Sequence, residues 1–347
     1  MLTLHALMLV SIASAEPRER PHFLRPDEMY KRMAASPVKY EVHGLTDLKD
    51  VPVDHLAEAL WPERSPRIEL PTVRVMEGHR EVVPYEIDPK SAALLDEAEA
   101  DFQAQRYPPA EERYRKAIQI SAQNYVAWSH LGDSALNQGK GKDALEDYEK
   151  AIALNPYDYR SWFYKGDALA LLKRRKEEMD AYATSLALRP RSPILSQKLR
   201  HAGMAAHDDF IQPRGFARRE GDGVGIYAEV GHGAHWMAFA MCKGLWIGEP
   251  SHREETLGDG VRWSSFEETE CLASLIAAYE AGRSKKDFRA DPNLEVLSKI
   301  GLKDHMLDEL AVYELGSRLD PHITLLLNDE QRARLKEYIR KYVFTVH

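Results

Sequence analysis

The chain has 347 residues, 44% of them hydrophobic, which is enough for two or three packed units. Its net charge of −8 argues against a nucleic-acid-binding face, which needs clustered Lys and Arg. No uninterrupted apolar run is long enough to span a bilayer; the nearest, Tyr227 to Gly248, carries Glu229, His232, His235 and Lys243.

The first residues, MLTLHALMLVSIASAEPRER, have the layout of an export signal. Ala6 to Ile12 is a short apolar core, and Ala13-Ser14-Ala15 supplies the small residues that a signal peptidase needs. Against this, no Lys or Arg precedes the core, as in an apolar terminus without a targeting role. A signal peptide over 1–15 makes the protein periplasmic or secreted, starting at Glu16; without cleavage it is cytoplasmic. Residues 16–90 are dense in proline and read as an extended arm with a small β element. Helices are predicted at Asp27 to Ala35 and at Val53 to Leu60. A hairpin is predicted in TVRVMEGHREVVPY, turning at Glu77-Gly78. Cys242 and Cys271 are the only cysteines. In an exported protein they can form one bridge, and in a cytosolic one they are small buried side chains.

A repeat begins at Ser91. Trp128 and Trp162 are 34 residues apart, and the same offset relates Gly132 to Gly166, Asp133 to Asp167, Tyr148 to Tyr182 and Pro156 to Pro190. One period earlier, Ala98, Ala110, Tyr114 and Ala117 fall in register with Gly132, Ala144, Tyr148 and Ala151. A pair of helices explains this period. The small residues let its two helices, A and B, approach, the tyrosines fill the space between pairs, and the prolines end helix B. One pair cannot bury its own apolar face, so pairs must stack. The GKGK stretch, Gly139 to Lys142, lacks the strand and the spacing of a phosphate loop and falls at the turn between helices.

These residues resemble the tetratricopeptide repeat. The second repeat, with Trp128, Leu131, Gly132, Ala144, Tyr148, Ala151 and Pro156, matches best. The first has Leu94 in place of Trp, and the third has Lys165 and Glu178 at places that are usually Leu and a small residue. Both outer repeats therefore read as adapted edges of the stack. The fold class that follows is mainly α: an α-solenoid of three such helix pairs with a capping helix over 91–208, and a helical C-terminal domain over 209–347. The arm with its small β element precedes them.

The resemblance implies a protein-binding scaffold that holds a partner segment on the concave face, which the A helices line. Glu99, Phe102, Asp133, Asn137, Phe163 and Asp167 are the candidate partner-binding residues. Glu99, Asp133 and Asp167 share one repeat position and form an acidic stripe. The basic clamp with which some relatives hold a C-terminal carboxylate is missing, since Leu95, Glu99, Ser129 and Asp133 stand in its place. The expected partner is thus a protein or peptide segment bearing Lys or Arg, with Phe102 and Phe163 offering apolar contact. The alternative is that these acids are solvated or paired within the stack. No cofactor is expected.

Ser192 reads as the N-cap of the capping helix, with Pro193 at its first position. Beyond it, QPRGFARREGDGVG reads as a loop, and a helix starting near Ala234 should stop at Lys243-Gly244. Further helices start at a Ser265/Glu268 capping box, at Asp291-Pro292, near Leu307, and at an Asn328/Gln331 capping box. His232, His235 and His252 are the metal candidates in this region, and they carry the rival reading: an enzyme with a metal-assisted site after Phe210, its repeats recruiting substrate. HExxH and CxxC are both absent, and the acids fit caps and solvated helix faces.

Overall fold

The computed structural model describes residues 23–45, 67–76, 79–201, 203–207, 210–229, 235–257 and 264–346. The expected signal peptide, the Val53 to Leu60 helix, the Glu77-Gly78 turn and His232 lie outside these residues. The fold is mainly helical. It forms two compact units, one from Met1–Arg64 and Asp209–Leu319, the other from Ser65–Asp208 and Asp320–His347. Among the described residues no helix is long and apolar enough to cross a membrane.

The arm serves both units. To the first it gives α1 (Pro26–Ala35), where expected, and the strand β1 (Tyr40–Gly44). To the second it gives the expected hairpin of β2 (Pro71–Met76) and β3 (His79–Pro84), paired from Pro71↔Pro84 to Met76↔His79. The hairpin is tied to its unit by hydrogen bonds from Arg80 to the Leu327 carbonyl (3.1 Å) and from Asn155 to the Pro71 carbonyl (3.1 Å).

The repeats are three antiparallel pairs: α2 (Pro89–Gln103) with α3 (Tyr107–Ile120), α4 (Tyr125–Asn137) with α5 (Gly141–Leu154), and α6 (Tyr159–Leu171) with α7 (Arg175–Leu188). Asp88, Asn124 and Asp158 cap the A helices by accepting backbone N–H bonds that would otherwise lack partners. Between helices the chain turns through a left-handed residue at one repeat position: Gln105 (φ 58°), Gly139 (φ 74°) and Lys173 (φ 58°). Of the GKGK stretch, Gly139 and Lys140 form the expected turn, while Gly141 and Lys142 begin α5. Small residues admit the tyrosines: a Cβ on Gly132 would lie 2.9 Å from the Tyr148 ring, and one on Gly166 would lie 2.5 Å from the Tyr182 ring.

The capping helix α8 (Pro193–His201) starts at Ser192 as expected, with Leu195 and Leu199 buried. Beyond it the short strand β4 (Met204–Ala206) follows. The third repeat, read as an adapted edge of the stack, is covered by more than the capping helix. Every residue from Ala181 to Leu188 is buried.

In the first unit, the stretch read as a loop forms β5 (Gly215–Glu220) and β6 (Gly223–Ala228), joined at Gly221 (φ 61°). Its glycines masked the strand alternation, yet Phe216, Val224 and Ile226 are buried while Arg218 and Arg219 face out. The sheet order is β1-β6-β5, with β1 parallel to β6. The helix α9 (His235–Gly248) lies on this sheet and does not stop at Lys243-Gly244. Gly244 is an approach point, where a Cβ would sit 3.1 Å from the Ile226 side chain. Two more helices follow, α10 (Pro250–Leu257) and α11 (Ser265–Gly282).

Lys243 is buried, and its ammonium reaches Glu267 (2.5 Å) and Glu268 (2.8 Å) on α11. Arg253 also holds Glu267 at 2.6 Å. Burial acts against the Lys243 charge, but the two glutamates outweigh it and raise the pKa; burial likewise acts against the Glu267 charge, and Lys243 with Arg253 lowers that pKa. The expected capping box is thus corrected: Ser264 is the N-cap, and Glu268 faces Lys243 rather than the helix start. Cys242 and Cys271 form a disulfide that joins α9 to α11.

Asp291 caps α12 (Pro292–Ser298), as expected. The helix α13 (Leu307–Leu310) runs on through wider π turns over Ala311–Gly316. There Glu314 is buried and accepts the backbone N–H groups of Phe210 (3.0 Å) and Ile211 (2.9 Å). The chain then returns to the second unit as α14 (Asp329–Tyr338), with the expected Asn328/Gln331 capping box, and β7 (Phe344–Val346), antiparallel to β4. Lys336 of this segment pairs with Asp180 of α7 at 3.1 Å, and Arg340 pairs with the same carboxylate. This returning segment is what covers the third repeat.

Candidate functional site

The A helices α2, α4 and α6 set the site because Glu99, Asp133 and Asp167 recur one repeat apart on them. Each carboxylate accepts from the tyrosine fifteen residues later on its own B helix: Tyr114 to Glu99 at 3.5 Å, Tyr148 to Asp133 at 2.6 Å and Tyr182 to Asp167 at 2.6 Å. The acidic positions and the inter-helix tyrosines therefore form one repeated structural unit. The acids also differ electrostatically. Burial pushes the Asp133 and Asp167 carboxyls up. A hydrogen bond with His130 pulls the Glu99 carboxyl down to about 2, and the two groups are 3.3 Å apart.

Lys198 was not among the sequence candidates. It projects from the capping helix onto the Tyr164 ring (4.0 Å from its centroid), lies 5.3 Å from the Phe163 centroid, and hydrogen-bonds the Tyr164 hydroxyl. Its charge lowers the pKa of both Asp133 and Asp167, partly opposing the effect of burial. A second cation, Arg160, is held by Asp158 at 3.1 Å and also acts on His130. No spacing along the chain announces Lys198, since its place depends on how α8 crosses the last pair. His130 sits three residues before Asp133 on the same helix, and that spacing was the available signal for it.

The remaining candidates divide. Asn137 is exposed and donates to the Asp133 backbone carbonyl at 2.8 Å. Phe102 is half-buried, edge-on to Tyr107. Phe163, expected to offer apolar contact, is only 3% exposed and packs against Tyr182 and Tyr164. Its ring belongs to the interior of the third repeat.

The two metal candidates among the described residues, His235 and His252, do not form a metal site. His235, the first residue of α9, lies edge-on to Tyr279. His252, on α10, packs on Trp246, with Arg32 3.2 Å from its Nδ1 and Glu270 3.7 Å from its Nε2. Both cysteines are taken up in the disulfide. Among the described residues no three His, Cys, Asp or Glu side chains are grouped to hold a metal ion.

The tetratricopeptide repeat family matches residues 130–193. Several solved structures are similar over about a third of this chain. One is the first repeat domain of Spaghetti (RPAP3) bound to an HSP90 peptide, with 22% identity over 33% of this chain and 92% of that one, at a TM-score of 0.32. Another is the repeat domain of Sgt2 from Aspergillus fumigatus, with 23% identity over 33% and 78%, also at 0.32. A third is the Arabidopsis OM64 repeat domain, with 20% identity over 32% and 95%, at 0.30. No curated protein matches the chain.

Proposed function

We propose, from the premise that this chain is a tetratricopeptide-repeat protein, that its A-helix face is the working surface of a protein-binding scaffold, and that the segment held there carries Lys or Arg. The observation that supports this most is Asp133. Its carboxyl is pushed up by burial, and Tyr148 is its hydrogen-bond donor, so a further cation brought beside it gains more than at a solvated acid. Lys198 already serves this role from within the chain, its ammonium acting on Asp133 and Asp167 while it lies over the Tyr164 ring. A partner cation next to Glu99 and Asp133 extends the same chemistry toward the first repeat. The relative bound to an HSP90 peptide has a peptide ligand as well, although that peptide, SRMEEVD, is acidic at its end.

Export is part of the same proposal. It rests on the Ala6 to Ile12 apolar core before Ala13-Ser14-Ala15, together with a disulfide, a bond that persists in oxidising compartments.

The experiment is fluorescence anisotropy of the full chain against labelled peptides of graded charge. Lys- and Arg-bearing peptides should bind, weaken with added salt, and lose about tenfold in affinity when Asp133→Asn and Asp167→Asn are combined. Equal binding of acidic peptides, or no effect of the paired substitutions, sinks the reading.

A further inference from the structure

A cavity of about 200 Å³ opens in the first unit, and the inference drawn from it is independent of the function proposed for the acidic stripe. Its wall includes Arg214, Glu229, His235, Trp236, Arg289 and Asp291. The wall is built from fixed parts. Glu229 donates its backbone N–H to the Arg214 carbonyl (2.9 Å), and their side chains pair at 3.2 Å, which joins the two ends of the β5–β6 hairpin. A Cβ on Gly215 would fall 2.6 Å from the Trp236 carbonyl, so glycine is what brings the hairpin this close to the start of α9. On the opposite wall, Asp291 receives the N–H groups of Asn293 and Leu294, and its own N–H goes to the Tyr279 hydroxyl at 3.1 Å.

Two polar groups in this wall have no internal use. Arg289 makes no hydrogen bond or ion pair with the described residues and is exposed. His235 is 9% exposed, and its buried Nδ1 has no hydrogen-bond partner among the described residues. The ring is held in place by Tyr279 on one side and by the bare face of Gly282, where a Cβ would lie 3.1 Å from its Cε1. The His235 ring therefore stands as a fixed part of the cavity lining.

We propose that this cavity binds a small monocarboxylate. Arg289 offers the planar fork that matches a carboxylate, and one N–H group of Arg214 is already spent on Glu229. The Trp236 and Leu294 side chains supply an apolar wall for a short carbon chain. Glu229 and Asp291 both line the cavity, so a dianion such as phosphate meets two carboxylates and is disfavoured. The volume lies below the roughly 300 Å³ at which pockets for drug-sized ligands begin, which limits the occupant to a few carbons.

The test is calorimetric titration of the full chain with butyrate and, separately, with inorganic phosphate. Butyrate should bind saturably and more tightly than phosphate. Arg289→Ala, which removes a side chain with no partner in the fold, should weaken butyrate at least about tenfold. Lys286→Ala, a neighbouring exposed cation outside the cavity wall, should leave it unchanged. Absence of saturable butyrate binding, equal losses in the two variants, or tighter phosphate binding would each overturn the assignment.

Discussion

Tyr148 donates its hydroxyl to Asp133 across 2.6 Å, fifteen residues back along the same repeat, and Tyr182 does the same to Asp167. The relationship explains why acid and tyrosine recur together. The tyrosine ring fills the gap left by Gly132 or Gly166, and its hydroxyl then needs an acceptor where the ring ends. The acidic stripe is thus a consequence of how the repeat packs, as well as the surface proposed to meet a partner.

Tyr148→Phe keeps the ring and removes the donor. The buried Asp133 carboxyl then lacks that hydrogen bond, and urea denaturation should show a loss of about 1–3 kcal/mol. Combining it with Asp133→Asn should cost less than the sum of the two single changes, because both remove one interaction.

The Glu99–His130 pair predicts a pH dependence with two limbs. His130 holds the Glu99 carboxyl at about 2 against an ordinary value of 4.5, so this contribution is complete above 4.5 and is lost as pH falls through about 2. For His130, burial acts to lower the pKa, but Glu99 and Asp133 raise it above 6.5; its contribution is complete below 6.5 and is lost as pH rises through the raised value. Urea midpoints measured at about pH 3, 5.5 and 8 should fall on both sides of the middle point. His130→Gln should flatten that dependence; an unchanged profile would show that other groups produce it.

Lys243→Met leaves Glu267 and Glu268 buried without their shared cation, and should destabilise the first unit by about 3–5 kcal/mol. Replacing Glu267 and Glu268 by Gln in the same chain should recover part of this loss, since the buried charges go as well. Thermal unfolding of the unmodified chain and the two variants checks the order.

The disulfide closes a loop with a sequence separation of 29. In the chain-entropy model a loop of that length contributes roughly 3–4 kcal/mol, so Cys242→Ala with Cys271→Ala should lower the urea midpoint accordingly. An unchanged midpoint under non-reducing conditions would mean that the α9–α11 contact holds without the bond.

The repeats were legible in the sequence because their stabilising contacts are local and recur. The 34-residue offset fixes which small residue meets which tyrosine, and that decides three helix pairs, the turn at Gly139 and the line of Glu99, Asp133 and Asp167. Helix starts at Pro26, Ser192, Asp291 and Asn328 were legible for a related reason: a cap is satisfied within three or four residues.

What the sequence could not decide lies in partners far apart along the chain. Lys243-Gly244 has the form of a helix stop, yet Glu267 and Glu268 satisfy the lysine and Ile226 needs the space beside the glycine, so the helix continues. The loop-like glycines of 215–225 become strands because β1, from the other side of the repeats, pairs with β6 and buries one face. Lys198 reaches the aromatic rings and acids of the stack only because α8 folds back over the third pair. A charged or small residue in one dimension carries no record of its distant neighbour. The tertiary structure supplies that neighbour, and with it the difference between a cap and a core ion pair, and between a bare acidic stripe and one whose charge an internal lysine already opposes.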